Sequence, residues 1–407
     1  MTTVADPPAG TARQLGYALV DADNHYYEPH DCFTRHMESA YADHAVHTVV
    51  GDDGLGRLFI GDRPAPWRPV IQYDLIAPPG AGKGLMIGKR KDPQFEDPNA
   101  NVLIKPYEHP AFINRDARLA LMDEQGIQAA YLLPTAAVCL EYNLYQDGPE
   151  AAFANLRSFN RWIEDDWGYG YQDRIFGVPL LSLADVDLAV AELERVLALG
   201  ARAVHLNPGP AYGRSPADPH FDPFWARAQE AGVPVMFHIG YSGYNDSVGV
   251  LWGERPNVSL YEQTPLQNFL GLCDRPITDT FAALVLGGLF ERFGSLKIVS
   301  VENGCAWVPG LLHQMDHSAL LSRVNTLVEQ PSETFARHFS VAPFWEDNGA
   351  ELARLIGEDH VLLGSDFPHP EGEAVPVDFV DCLDGLDDGQ IRKVMRDNTA
   401  ALIGLPA

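Results

Sequence analysis

Eight short apolar runs punctuate the chain, at residues 18–25, 127–135, 174–183, 201–209, 234–240, 296–304, 338–344 and 360–369. Each is rich in apolar and β-branched residues, ends in polar or small ones, and is too short for a helix. Between most of them the apolar spacing switches to the helical period. Residues 185–199 set Val186, Val190, Leu193, Val196 and Leu197 on one face and stop at Gly200. Residues 114–125 open on an Asn cap and stop at Gly126. Stretches 148–167, 221–231, 278–293, 308–324, 346–356 and 390–403 read likewise. Strands alternating with helices predict parallel pairing with right-handed crossovers. Eight such units predict an α/β chain closed as a (β/α)8 TIM barrel. The alternative is an open doubly wound sheet; that arrangement usually carries a glycine-rich first turn, and no GxGxxG follows the first run.

Two stretches break the alternation. Residues 41–110 lie between the first run and its helix, rich in Gly, Pro and aromatics, with strand-like pieces only at places such as 57–60. They read as a lid inserted over the barrel mouth, since βα loops build function in barrels, or as a disordered excursion. Residues 241–276 follow the fifth run and are expected to reach the same mouth. The domain reading is a tail at 1–16 and one barrel at 17–407 carrying the 41–110 insertion. A length of 407 would suit two or three domains of ~150 residues, but α/β barrels exceed that size as one unit.

Composition narrows the partners. With 29 Lys+Arg against 56 Asp+Glu the net charge is −27, which excludes a surface that as a whole attracts nucleic-acid phosphates. No run reaches ~18 apolar residues, so no membrane helix is expected. The first sixteen residues lack a signal-like apolar core, so the expected location is cytoplasmic. The cysteines (32, 139, 273, 305 and 382) are odd in number and never CxxC, against a disulfide framework or a thiolate zinc site.

Chemistry in such a barrel sits at the C-terminal strand ends. The first run ends Asp21-Ala-Asp23-Asn-His25, and i, i+2 spacing gives Asp23 and His25 one face. The fourth holds His205 and Asn207, the fifth ends on His238, the sixth on Glu302-Asn303-Gly304, and the eighth on Ser-Asp366-Phe-Pro-His369. Each residue has a plain reading by itself: a satisfied core His, a helix cap, an ion-pair partner. Together they bring imidazoles and three carboxylates to one mouth. A divalent cation resolves the repulsion and accepts N and O ligands. The candidate metal ligands are Asp23, His25, His238, Glu302 and Asp366. His205 is either a further ligand, which would allow two metal ions, or barrel packing. Carboxylate-rich, two-histidine donors suit Fe or Mn at least as well as Zn.

In their order these motifs, VDADNH, VMFHIG, VSVENGCAWVP, LLGSDFPHPEG and VMRDNTAALIGL, resemble the amidohydrolase superfamily. The nearest branch is the amidohydrolase-related group that contains the aminocarboxymuconate semialdehyde and resorcylate decarboxylases. The resemblance spans residues 20–404, apart from the 41–110 insertion. It implies that Asp23 and His25 fill the strand-one ligand positions, His238 the strand-five histidine and Asp366 the strand-eight aspartate. One departure matters: decarboxylases of that branch usually carry a strand-six His, and this chain has Glu302. A Glu cannot stand in for an imidazole that protonates or orients an aromatic substrate, but it can ligate a metal.

The insertion holds Lys83, Lys89, Arg90 and Lys91, four cations within nine residues of an acidic chain. They read as a solvated loop, or as a docking patch for an anionic substrate, a carboxylate or the phosphates of a coenzyme A thioester. Nearby Trp67, Tyr73, Phe95 and Tyr107, with Leu85-Met86-Ile87, would cover an acyl group or form the insertion's own core. Asn207 and Asn303 are further candidate substrate contacts. The leading expectation is a metal-dependent hydrolase of an amide, ester or thioester of a small organic acid, with Asp366 as the acid–base group and His369 orienting substrate or sharing that duty. The alternative is a metal-dependent non-oxidative decarboxylase of an aromatic or enoic acid. A non-catalytic binder would have lost ligands, and none is lost at strands one, five or eight. Many barrels of this kind dimerise, so a homodimer is one option, but the residues mark no interface and leave the oligomeric state open.

Overall fold

The computed structural model describes residues 15–83, 102–272 and 274–406. Its centre is a closed ring of parallel strands. β1 (Leu19–Tyr26) is followed by a three-stranded antiparallel sheet outside the ring, β2 (Val46–Val50), β3 (Gly56–Ile60) and β4 (Arg63–Pro64). The ring continues with β5 (Ile127–Pro134), β6 (Ile175–Gly177), β7 (Val204–His205), β8 (Val235–His238), β9 (Ile298–Val301) and β10 (Phe339–Val341). Parallel ladders join β1 to β5 to β6, and β7 to β8 to β9 to β10. A parallel bridge, Leu180 with His205, links the two arcs. An eighth stave closes them, bridging Val341 with Val361 and Asn24 with Phe367. The chain is a (β/α)8 TIM barrel, closed at a seam where Ala22 N donates to Leu363 O and Asp366 N to Asp23 O, both at 2.8 Å. Gly364 lies in that seam because a Cβ there would come 2.9 Å from Ala342 Cβ and 3.2 Å from Asp23 Cβ.

All eight residues of β1 are buried, yet their alternation does not run straight through. Val20 and Ala22 pack with Ala129, Tyr131, Leu133, Met236 and Val299 in the interior cluster. Between Asp21 and Asn24 the register against β5 slips. This bulge re-phases the strand, so Asp23 and His25 also face the interior while Asn24 meets Arg118 of the first outer helix.

The outer helices follow the apolar periods. α1 (Arg115–Gln125) is capped by Asn114, which accepts from Asp116 N and Ala117 N at 3.0 Å, and buries Leu119 and Met122. α2 (Pro149–Asp166) buries Phe153, Phe159, Trp162 and Ile163. α3 (Val186–Ala198) is capped by Asp185. The expected helix at 278–293 is instead two, Arg275–Leu286 and Leu289–Arg292, because Gly288 takes φ 67° between them. The expected helix at 308–324 ends at Leu321.

The segment after β1 reaches the barrel mouth. Trp67 stacks on Tyr241 with ring centroids 4.9 Å apart, and Leu260 N donates to Trp67 O at 2.9 Å, so this segment and the loop after β8 pack together. Among the described residues no helix is long and apolar enough to cross a membrane.

Candidate metal centre

Six side chains meet at the C-terminal mouth of the barrel. β1 supplies Asp23 and His25, β8 supplies His238, the turn after β9 supplies Glu302, and the eighth stave supplies Asp366 and His369. Ligand atoms of Asp23, His25, His238 and Glu302 all lie within 4.8 Å of one another, as do those of His25, Glu302, Asp366 and His369. His25 Nε2 sits between them, 3.1 Å from Asp23 Oδ1, 3.3 Å from Asp366 Oδ1, 3.5 Å from Glu302 Oε2 and 3.4 Å from His238 Nε2.

Backbone geometry aims two of these groups. Glu302 and Asp366 adopt left-handed φ values of 52° and 55°, which cost a residue with a side chain roughly 1–3 kcal/mol. Such strain persists where surrounding structure fixes it, and here both strained residues point into the same cluster.

The donors fit a divalent cation. His238 Nδ1 donates to the Ile239 carbonyl at 2.7 Å, so Nε2 carries the lone pair, as in a metal-ligating histidine oriented from behind. Glu302 Oε2 lies 2.7 Å from His238 Nε2 yet has no hydrogen-bond partner, being off the axis of that nitrogen. Two buried acceptors held 2.7 Å apart with no hydrogen bond between them are what a shared cation accounts for. The cluster can hold a divalent metal ion. Without one the site carries opposed electrostatics. Burial works against charge on His25, but the neighbouring Asp23 and Glu302 carboxylates outweigh it and raise its pKa to about 10. Burial, then the charges of Glu302, Glu371 and Asp23, push Asp366 well above the usual carboxylate range. Burial, with the neighbouring His25, holds His369 well below the usual imidazole value.

His369 has two partners. Nδ1 lies 2.5 Å from Asp366 Oδ1, and Nε2 lies 2.9 Å from the Thr135 hydroxyl. The Thr135 hydrogen is committed to the Tyr26 carbonyl at 2.7 Å, so Nε2 must be the donor to Thr135. The short contact to Asp366 then needs a proton of its own. In the metal-free site this geometry, with Asp366 raised and His369 lowered in pKa, suits one proton shared between Oδ1 and Nδ1.

Above this floor lies a cavity of about 460 Å³ lined by Trp67, Leu75, Ile76, Val138, Phe344 and Trp345, with Arg68 and Gln72 as its polar wall. Arg68 Nε donates to Gln72 Oε1 at 3.2 Å. Burial opposes its charge, but Cys139, Tyr261, Glu371 and Glu28 outweigh burial and keep it cationic.

The other sequence candidates lie elsewhere. His205 is buried with both ring nitrogens unpartnered, its ring 6.5 Å from that of His238 and outside both ligand groups. Burial, then His238, lowers its pKa to about 3, so it packs as a neutral ring. Asn207 donates to Tyr241 O at 2.9 Å and lines a neighbouring cavity of about 180 Å³. Asn303 donates to Phe237 O at 3.0 Å and Val301 O at 2.8 Å, bracing the β9 turn. Lys83 is paired with Glu373 at 2.5 Å and lies over the Trp345 ring at 4.3 Å. Lys89, Arg90, Lys91, Phe95 and Leu85-Met86-Ile87 lie outside the described residues. Arg68, Thr135 and Glu371 escape the sequence reading. Arg68 sits in a segment without motif or period, Thr135 ends the second apolar run with nothing to mark it as functional, and only the fold brings the two together at the mouth.

The family model described as Amidohydrolase matches residues 20–405. An amidohydrolase crystal structure from Mycobacterium avium subsp. paratuberculosis K-10 is 40% identical, with a TM-score of 0.88 over 96% of this chain and 100% of that one. A dihydroxybenzoic acid decarboxylase from Polaromonas sp. JS666, with bound manganese and the inhibitor 2-nitroresorcinol, shares the fold at 19% identity, TM-score 0.56, covering 80% of this chain and 93% of that one. The 2-amino-3-carboxymuconate-6-semialdehyde decarboxylase of Dictyostelium discoideum is 22% identical over 245 residues, 57% of this chain. The match spans 62% of that curated relative's length.

Proposed function

The chain belongs to the amidohydrolase family, and from that premise we propose that it is a metal-dependent, non-oxidative decarboxylase of a small aromatic or enoic carboxylic acid. The observation that carries this reading is the 2.5 Å contact of Asp366 with His369 at the floor of a largely apolar cavity, short enough for the pair to share a proton. Decarboxylation needs an acid poised over carbon, whereas activation of water needs an empty base. The decarboxylases among the relatives favour the same reading.

Asp23, His25, His238, Glu302 and Asp366 would hold the cation. Bound there, it would supply positive charge against the substrate's carboxylate and an adjacent oxygen. Manganese or iron suits these donors at least as well as zinc. Arg68 offers the cavity's cationic hydrogen-bond donor for a substrate oxyanion. Trp67, Phe344 and Trp345 give flat walls that exclude water from the ring or double bond. The bond from carbon to the carboxylate breaks, its electron pair stays on carbon, and CO2 leaves. The Asp366–His369 pair delivers its proton to that carbon and regains one from solvent.

Hydrolysis of an amide or ester is the second reading, and Glu302 favours it, because it replaces the strand-six histidine of the decarboxylase branch. From sequence alone that substitution ranks hydrolysis first; the short Asp366–His369 contact and the relatives favour the reverse order. Incubation with a panel of aromatic and enoic acids, amides and esters in D2O and in ¹⁸O-labelled water tests both. The expected result is CO2 with deuterium on the product carbon. A label from ¹⁸O water in a released carboxylate, without CO2, would overturn it.

A further inference from the structure

We infer that Asp21, with Arg118 behind it, is a positioning residue that sets the metal ligands of β1 against the ligand on the eighth stave; this rests on the metal-centre reading above. Asp21 is fully buried and belongs to neither ligand group. Its carboxylate accepts four hydrogen bonds. Oδ1 takes Asp23 N and Ser365 N, each at 3.1 Å. Oδ2 takes Ser365 Oγ at 2.5 Å and Asn24 Nδ2 at 3.1 Å. Each oxygen is thus shared between β1 and the eighth stave. The donors are a ligand's own amide, the residue between two ligands, and the residue before Asp366.

Asn24 extends the connection. Its Oδ1 accepts from Arg118 Nη1, and Arg118 also donates to His25 O at 2.7 Å and to Ala111 O at 2.6 Å. A buried anion and a buried cation are therefore joined through one amide that lies between Asp23 and His25 in sequence. Removing charges from water is costly, and uniform packing would be cheaper; such pairs are retained where they fix one arrangement.

What they fix here is specific. The β1 bulge and the left-handed turn at Asp366 are two irregularities that must stay in register across one seam. Asp21 is bonded to both sides of it. Four donors need an acceptor with two oxygens, and an amide would turn an NH2 group against a donor.

The test uses Mn²⁺ titration of the full chain, read by the electron paramagnetic resonance of free Mn²⁺, beside the melting temperature of metal-free protein. Asp21→Asn is expected to weaken Mn²⁺ affinity by roughly 10- to 100-fold. Ser365→Ala, a milder loss at the same seam, should weaken it by a smaller factor and decides the matter if Asp21→Asn does not fold. The control is Asn398→Ala, which removes hydrogen bonds to Glu358 O and Val361 O at the other end of that stave, both 2.7 Å. It should lower the melting temperature and leave affinity essentially unchanged. Wild-type affinity in the seam variants, or equal loss in all three, would overturn the positioning role while sparing the metal centre. No Mn²⁺ uptake by the wild type would remove both.

Discussion

His369 is pinned from both ring nitrogens, Nδ1 at 2.5 Å from Asp366 Oδ1 and Nε2 at 2.9 Å from the Thr135 hydroxyl. Thr135→Val removes the acceptor of the Nε2 hydrogen and frees the ring to turn. The pair then loses its aim, and kcat is expected to fall by roughly one to two orders of magnitude with KM nearly kept. Steady-state kinetics on the first active carboxylic acid checks this; unchanged kcat would remove His369 from proton delivery.

Metal dependence follows from the off-axis His238–Glu302 contact. Chelation should abolish activity, and His238→Ala should lose bound metal while its circular dichroism stays native. Full turnover by protein shown to be metal-free by elemental analysis would end the metal reading.

Glu302→Gln replaces a charged donor with a weak one and should lower metal content. Glu302→His restores the branch's usual residue and should shift preference towards zinc. Stoichiometry unaltered in Glu302→Gln would leave the residue a structural role.

Arg68, not Lys83, is the cation expected to bind substrate, because Lys83 is already neutralised by Glu373. A charged hydrogen bond is worth about 1.5–3 kcal/mol, so Arg68→Ala should raise KM about 10- to 100-fold with a smaller effect on kcat. Lys83→Ser should leave KM where it was. The reverse pattern would return the anion contact to the insertion.

A fifth prediction concerns stability. Burial pushes Glu141 from 4.5 to about 7, against hydrogen bonds from Ser182 and Tyr212 at 2.6 and 2.8 Å. A raised carboxylate pKa means the folded chain keeps a proton that the unfolded chain releases between pH 4.5 and 7. Stability therefore falls as pH rises through that window, by roughly 3 kcal/mol at most. In chelator-treated protein, Glu141→Gln should gain on the wild type between pH 5 and pH 8 in urea unfolding. A constant difference would mean Glu141 is ionised in the folded chain at both pH values.

The barrel was legible because strands and helices impose different periods on apolar residues, and the eight runs recur as staves. Candidate metal ligands were legible because a parallel barrel gathers its strand ends, so Asp23, His25, His238, Glu302 and Asp366 could be collected without distances. Periodicity carries no information on close approach. His205 ends a strand as the others do, yet only packing puts its ring outside both ligand groups. The bulge in β1 and the left-handed turns at Glu302 and Asp366 leave no mark in residue type, since nothing local distinguishes an Asp that must adopt φ 55°. Arg68 and Thr135 lie far along the chain from the strand-eight residues they serve, so folding alone makes them neighbours of His369. Sequence thus determined which strand-end groups reach the mouth; tertiary structure decided which loop residues join them and which of them touch, because contact at 3 Å depends on seams, bulges and loop closure that no local pattern encodes.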